Sequence, residues 1–191
     1  PAMPDGSAEG ILKGMYRFSR KDAGNDAPRV QLFGSGPILR EALRAQDILA
    51  ERYNVSSDAW SVTSYKQLRT DAMAVNRWNR LHPDGQVRRS YLEKVLEGVD
   101  GPFIAASDYV TLVPDQIRPW VPGDYVVLGT DGFGRSEGRK DLRRFFEVDA
   151  ENITIATLDA LARRRRIKKG VVKQAIQDLN IDPDKPNPAV L

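Results

Sequence analysis

Tyr125-Val126-Val127-Leu128 runs through Gly129-Thr130-Asp131-Gly132-Phe133-Gly134-Arg135-Ser136-Glu137-Gly138-Arg139 into Asp141-Leu142-Arg143-Arg144-Phe145-Phe146. An apolar run, a polar glycine-rich link and an amphipathic run read as a buried strand leaving through a loop into a helix. The same unit stands upstream: Arg29-Val30-Gln31-Leu32-Phe33 leads through Gly34-Ser35-Gly36-Pro37 to a stripe of Ile38, Ala42, Ala45 and Leu49. Ala59–Ser64 is a third strand, and Ser64 is placed to cap a helix carrying Leu68, Ala72, Val75 and Trp78. Strands alternating with helices imply a largely parallel sheet covered on both faces, a three-layer α/β/α domain.

The remaining segments fill that frame. Ile11 to Phe18 reads as an edge strand, given Lys13 and Arg17. The polar loop Ser19–Pro28 is too short for a parallel crossover, so the first strand should run antiparallel to the second. Tyr91–Leu96 is a short helix, and Pro102–Ser107 a buried strand of small and branched residues. Asp108 should cap a helical stretch, Tyr109 to Arg118, that Pro114 interrupts. Asp149 should cap a helix bearing Ile153, Ala156, Ala160 and Leu161, and a last helix, Lys168–Leu179, turns Val172, Ala175, Ile176 and Leu179 inward. The expectation is a mixed five-stranded sheet with one antiparallel strand, over residues 10–191, with residues 1–9 as a linker or arm.

Composition excludes several classes. The 191 residues suffice for one domain with a proper core, and 41% hydrophobic with 29% charged residues is ordinary for a globular chain. No cysteine is present, which rules out a disulfide framework, a thiolate zinc site and a cysteine nucleophile, and fits a reducing cytoplasm. No apolar run approaches the roughly 20 residues of a membrane span. Pro1–Ser7 lacks the charged start and apolar segment of a signal peptide. The net charge of +3, from 29 basic and 26 acidic residues, is too near balance to indicate a nucleic-acid partner.

Four features are candidates for function. The Thr130, Asp131, Gly132, Phe133, Gly134, Arg135, Ser136 segment is either a turn in which Asp131 and Arg135 pair with each other or face water, or a docking loop that presents Phe133 between two glycines. Its Gly-x-Gly is followed by Glu137 where a dinucleotide fingerprint needs glycine, and no Walker lysine is present. Gly34, Ser35 and Gly36 form either a plain turn capped by Ser35 or an anion-binding turn. His82, the single histidine, precedes Pro83 at a helix end and reads as a structural group with no triad partners. Arg163–Arg166 with Lys168 and Lys169 reads as a helix end in which cations offset the macrodipole, or as a polyanion contact.

Several blocks, in order, carry a resemblance. Gly10–Tyr16, Leu32–Gly36, Ser61–Tyr65, Arg77–Pro83, Leu128–Ser136, Phe146–Asp149 and Asn180–Lys185 look like the C-terminal part of the homodimeric, acetyl-transferring type of pyruvate dehydrogenase. The resemblance spans nearly the whole chain. It implies a transketolase-type C-terminal domain of a longer polypeptide, with Pro1 at an inter-domain cut. It further implies thiamine diphosphate and magnesium in the full-length enzyme, with no catalytic, cofactor-binding or metal residue on this chain. The implied partners are the preceding domains, a second subunit and the dihydrolipoyl acetyltransferase component, with no nucleic acid and no membrane. The alternatives are an interaction module acting through Arg163–Lys169 and the matching domain of another thiamine-dependent enzyme such as a transketolase. The Arg77–Pro83 and Thr130–Ser136 blocks favour pyruvate dehydrogenase over the latter.

Overall fold

The computed structural model describes residues 4–191. Five strands form one sheet: β1 (Met15–Lys21), β2 (Arg29–Ser35), β3 (Ser56–Val62), β4 (Phe103–Ala106) and β5 (Tyr125–Leu128), in the order β1-β3-β2-β4-β5. β1 pairs with β3 antiparallel, and all other pairings are parallel. The first two strands therefore run in opposite senses, as the short loop requires, but β3 lies between them. The edge strand starts at Met15, four residues later than Ile11, because Ala8–Lys13 folds as helix α1 and ends at Gly14 with φ 109°. Ala8 and Glu9 of the expected arm belong to that helix, and residues 1–3 lie outside the described part.

β2 lies in the middle, and from Val30 to Ser35 it is buried throughout. Its side chains alternate between two cores, as the period of a strand demands. Val30 and Leu32, with Ile104 and Ala106 of β4, meet α2 (Leu39–Tyr53) and α7 (Ala150–Arg163) through Ala42, Ala45, Leu49, Ile153 and Leu161. On the other face Phe33 stands edge-on to Phe103 at 5.7 Å and to Trp60 at 6.3 Å. That cluster is closed by Leu68 of α3 (Tyr65–Leu81) and Leu92 of α4 (Tyr91–Val95). Three short or terminal helices complete the chain: α5 (Leu112–Asp115), α6 (Arg139–Phe145) and α8 (Lys169–Asp178).

The caps divide into those the sequence announces and those it does not. Ser64 accepts from the Gln67 amide and Asp149 from the Asn152 amide, as their positions imply. Ser35 and Asp108 do not act as caps. Ser35 lies in β2 and donates its Oγ proton to Ser107 Oγ at 2.9 Å, and a 3-10 turn, Gly36–Ile38, intervenes before α2. The helix expected from Tyr109 shrinks to α5 and a 3-10 turn at Arg118–Trp120, because Pro114 and Pro119 cannot donate to a continuing helix. At the other ends, Asn54, Glu147, Arg165 and Asn180 take positive φ, and the following amides reach back to Leu49, Arg143, Leu161 and Ile176. α2, α6, α7 and α8 thus stop in Schellman-type turns built without glycine.

One buried polar chain crosses the aromatic face of the sheet. Trp60 Nε1 donates to Gln31 Oε1 at 2.8 Å, while Gln31 Nε2 donates to the Asp100 carbonyl at 2.9 Å and to Asp58 Oδ2 at 3.3 Å. Gln31→Leu would leave the indole N–H without a partner in the core. Urea unfolding is expected to show a loss of about 1–3 kcal/mol, the usual penalty for orphaning a buried donor; an unchanged midpoint would mean that the chain is ornamental.

Candidate functional site

The glycine-rich link after β5 is fastened along its first half. Thr130 donates its amide to the Tyr109 carbonyl at 2.9 Å and its hydroxyl to the Asp108 carbonyl at 2.8 Å. Asp131 accepts from the Thr111 amide at 3.0 Å and from the Thr111 hydroxyl at 2.5 Å. Gly129 lies so close to the same segment that a Cβ would sit 2.7 Å from the Thr111 nitrogen. Gly132 has φ 102°, and a Cβ there would run into the Pro188 carbonyl. Pinned between the β4–α5 connection and the C-terminal tail, the loop holds Phe133 outward, 77% exposed. Asp131 and Arg135 do not pair with each other. Thr111 satisfies both carboxylate oxygens, and the Arg135 guanidinium lies 5.2 Å above the Phe145 ring.

Beside this loop a crevice of about 510 Å³ opens beyond the carboxyl ends of β2, β4 and β5. Pro37 and Ile38 follow β2, Asp108 follows β4, and Thr130 follows β5; Leu142 and Phe146 come from α6 and its end. The chain leaves β2 towards β3 on one side and β4 towards β5 on the other, so the crevice lies at a topological switch point. Three arginines line it, Arg135, Arg139 and Arg143. Arg135, Gly132, Gly134 and Thr130 were legible as a loop; their place in the wall of a cavity was not.

Behind the crevice stands a group with no signal in the sequence. Glu41, only 5% exposed near the start of α2, accepts from Arg44 at 2.6 Å, from Arg143 at 2.8 Å and from the Ala150 amide at 3.2 Å. One carboxylate thereby joins α2, α6 and the first turn of α7. Arg144 continues the cluster to Asp149 at 2.8 Å and to Glu151 at 3.5 Å. Burial pushes the Asp149 carboxyl above the ordinary aspartate range, against the hydrogen bonds from Asn152 that favour its ionised form. A raised folded-state value means that the native chain holds this proton longer than the unfolded one. The contribution of Asp149 to stability therefore falls as pH rises through that interval.

Residues 14–149 match the transketolase-like TK C-terminal domain family. The chain belongs to that family. It is 52% identical over 189 residues to the pyruvate dehydrogenase E1 component of Pseudomonas aeruginosa and 48% identical over 189 residues to that of Escherichia coli K12. In both cases 98% of this chain is covered and 21% of the relative, so the chain spans about a fifth of their length. Among solved structures, a transketolase from Pichia stipitis superposes with a TM-score of 0.56 at 18% identity, over 87% of this chain and 20% of that one. The transketolase from Leishmania mexicana gives 0.53 at 16% identity, over 84% and 20%. These two likenesses establish the fold, a mixed five-stranded transketolase C-terminal-type sheet between helices.

In this transketolase-like domain the other candidate residues fall apart from the crevice or at its margin. His82 ends α3 stacked on Trp78 at 4.3 Å, with its Nδ1 2.8 Å from the Trp78 carbonyl and Arg88 on the same indole at 3.6 Å. Arg163 closes α7 against Asp159 at 3.0 Å, and Arg164 faces Asp100 at 3.6 Å, the arrangement of a helix end. Gly34, Ser35 and Gly36 directly precede Pro37 of the crevice but do not line it, and the charge beside Gly36 is a carboxylate, Asp108, 3.9 Å from where its Cβ would stand. Glu41 ties α6 and α7 to α2, and Glu41→Ala is expected to destabilise the chain by about 3 kcal/mol, since it leaves Arg143 unpaired beside the core. Faster amide exchange in α6 should accompany the loss; an exchange pattern unchanged in α6 would show that Glu41 does not anchor it.

Proposed function

We propose that the chain is the C-terminal domain of a thiamine-diphosphate-dependent pyruvate dehydrogenase of the E1 type, and that it forms interfaces rather than performing the chemistry. The observation that carries this is the 52% identity over 98% of the chain to an E1 component. Identity of 16–18% to the transketolases is far lower, which favours the dehydrogenase over its structural cousin. In this reading the whole enzyme oxidatively decarboxylates pyruvate and passes the acetyl group to lipoyl arms of the acetyltransferase component, in the cytoplasm, as a homodimer. Residues 10–191 form the domain, and residues 1–9 connect it to what precedes.

The donor set of this chain does not fit a metal–diphosphate group. Among the described residues no three His, Cys, Asp or Glu side chains gather so as to hold a metal ion. The one imidazole is stacked on Trp78. Thiamine diphosphate and magnesium are therefore assigned to the other parts of the longer polypeptide. The isolated chain, given both together with pyruvate, is expected to release no carbon dioxide above the blank; turnover would bring the active site here.

The interface is assigned to the edge where Phe133 projects. Tyr109, Val110 and Leu112, the last 74% exposed, stand on the connection to which Asp131 is bonded, so several large apolar side chains share this edge. Such a concentration on one edge marks a surface that another polypeptide covers. Phe133→Ala should leave the melting temperature of this chain unchanged, because the ring makes no core contact. In the longer enzyme the same change is expected to weaken subunit assembly or acetyl transfer about tenfold, as removal of a buried aromatic anchor does. Sedimentation and the overall reaction rate measure this; an intact dimer with a normal rate would reduce the loop to a turn.

A further inference from the structure

The two sides of α3 differ in kind. Tyr65, Leu68 and Ala72 are buried against the aromatic face of the sheet. At 3.6 residues per turn, Lys66, Arg69, Met73, Arg77 and Arg80 fall within about 80° of arc on the opposite side, a stripe about 21 Å long. All five are exposed. No other residue of the helix lies in that arc, so the stripe holds no acid. The one acid of α3, Asp71, lies elsewhere on its surface and accepts from the Tyr91 amide at 2.6 Å. Lys66, Arg69, Arg77 and Arg80 form no ion pair among the described residues. Two features of the stripe oppose the helix that carries it. Lys66 stands in the first turn, where the positive end of the dipole favours a carboxylate, and that turn has no acid. Lys66 with Arg69, and Arg77 with Arg80, are like charges three residues apart. On α2 and α7 such charge is relieved from within, Arg44 by Glu41 and Glu151, Arg163 by Asp159. On α3 no described residue supplies that relief.

We infer that this face of α3 docks an acidic segment of another protein, whose carboxylates meet the four cations and whose apolar side chain rests on Met73. An extended chain covers the stripe with about six or seven residues, so the segment is short. Arginine and methionine are residue types that interfaces between proteins favour. Nucleic acid is the poorer occupant, because the stripe offers no aromatic ring on which a base could stack. Tyr65 is buried, and Trp78 is packed between His82 and Arg88. The basic run at Arg163–Lys169 is the weaker place for such a partner. Arg163 and Arg164 are already paired, and the rest lies across the turn between α7 and α8 rather than along one line. The inference rests on α3 alone and is independent of the assignment to pyruvate dehydrogenase.

The test uses the longest natural polypeptide that contains this chain and a fluorescein-labelled heptapeptide, six glutamates around a central leucine, followed by anisotropy at pH 7.5 and low salt. The peptide is expected to bind at least about tenfold more tightly than its counterpart with glutamine in place of glutamate. Arg69→Gln, Arg77→Gln and Arg80→Gln together should weaken it at least about tenfold. These side chains are exposed and unpaired, and glutamine is a comparable helix former, so the fold is kept. Arg166→Gln, Lys168→Gln and Lys169→Gln remove the same charge from the other basic run and should change the affinity less than about twofold. Carbodiimide coupling of the bound peptide should mark Lys66. Equal binding of the glutamine peptide, equal loss in the two triple variants, coupling confined to Lys168 and Lys169, or tighter binding of an oligothymidylate of equal charge would each overturn the inference.

Discussion

A strand withdrawn from water on both faces and both edges leaves its neighbours little choice. β2 pairs with β3 on one side and β4 on the other, and Leu32 and Phe33 point into opposite cores. Helices must cover each face, because either face left open would expose a row of large apolar side chains. The same central place fixes the direction of the two crossovers, and with it the position of the crevice. Fold and candidate site thus descend from one constraint.

The layers are then locked by polar groups where apolar packing alone would let them slide. On one face Gln31 draws Trp60, Asp58 and the Asp100 carbonyl together. On the other Glu41 does so for three helices. Such buried groups add little net stability when satisfied, yet they penalise any arrangement that separates them. Their effect is on register. Asp149 shows the opposing tendency, since the burial that makes its cap useful also disfavours its charge.

Much of this was legible in the chain because period and caps act locally. The apolar runs at Arg29–Phe33 and Tyr125–Leu128, and the caps at Ser64 and Asp149, announce their elements through side chains a few residues apart. Three things were not legible, and two of them depend on a partner distant in sequence. Ser35 looks like a helix cap until Ser107 claims its hydroxyl, 72 positions on. Asp131 looks like the partner of Arg135 until Thr111 is brought beside it by the adjacent ends of β4 and β5. Ile11 looks like strand because apolar spacing over so short a run does not distinguish α1 from an edge strand. The ordered set of blocks carried the family more surely than any one of them, and it could do so without the cavity being visible at all.

The crevice is bounded by parts of very different stiffness. One side is formed by Pro37, Ile38 and Asp108, which follow strand ends joined through Ser35 and Ser107, whereas its other wall, α6, buries no residue and meets the body of the domain at few points. One of those points is the Arg143–Glu41 contact, and Glu41 also holds the start of α7. Any widening or narrowing of the crevice must therefore be taken up by the wall. The wall in turn is hinged on three carboxylates, Glu41 through Arg143 and Asp149 with Glu151 through Arg144, so that a small tilt over the opening is passed to the first turn of α7.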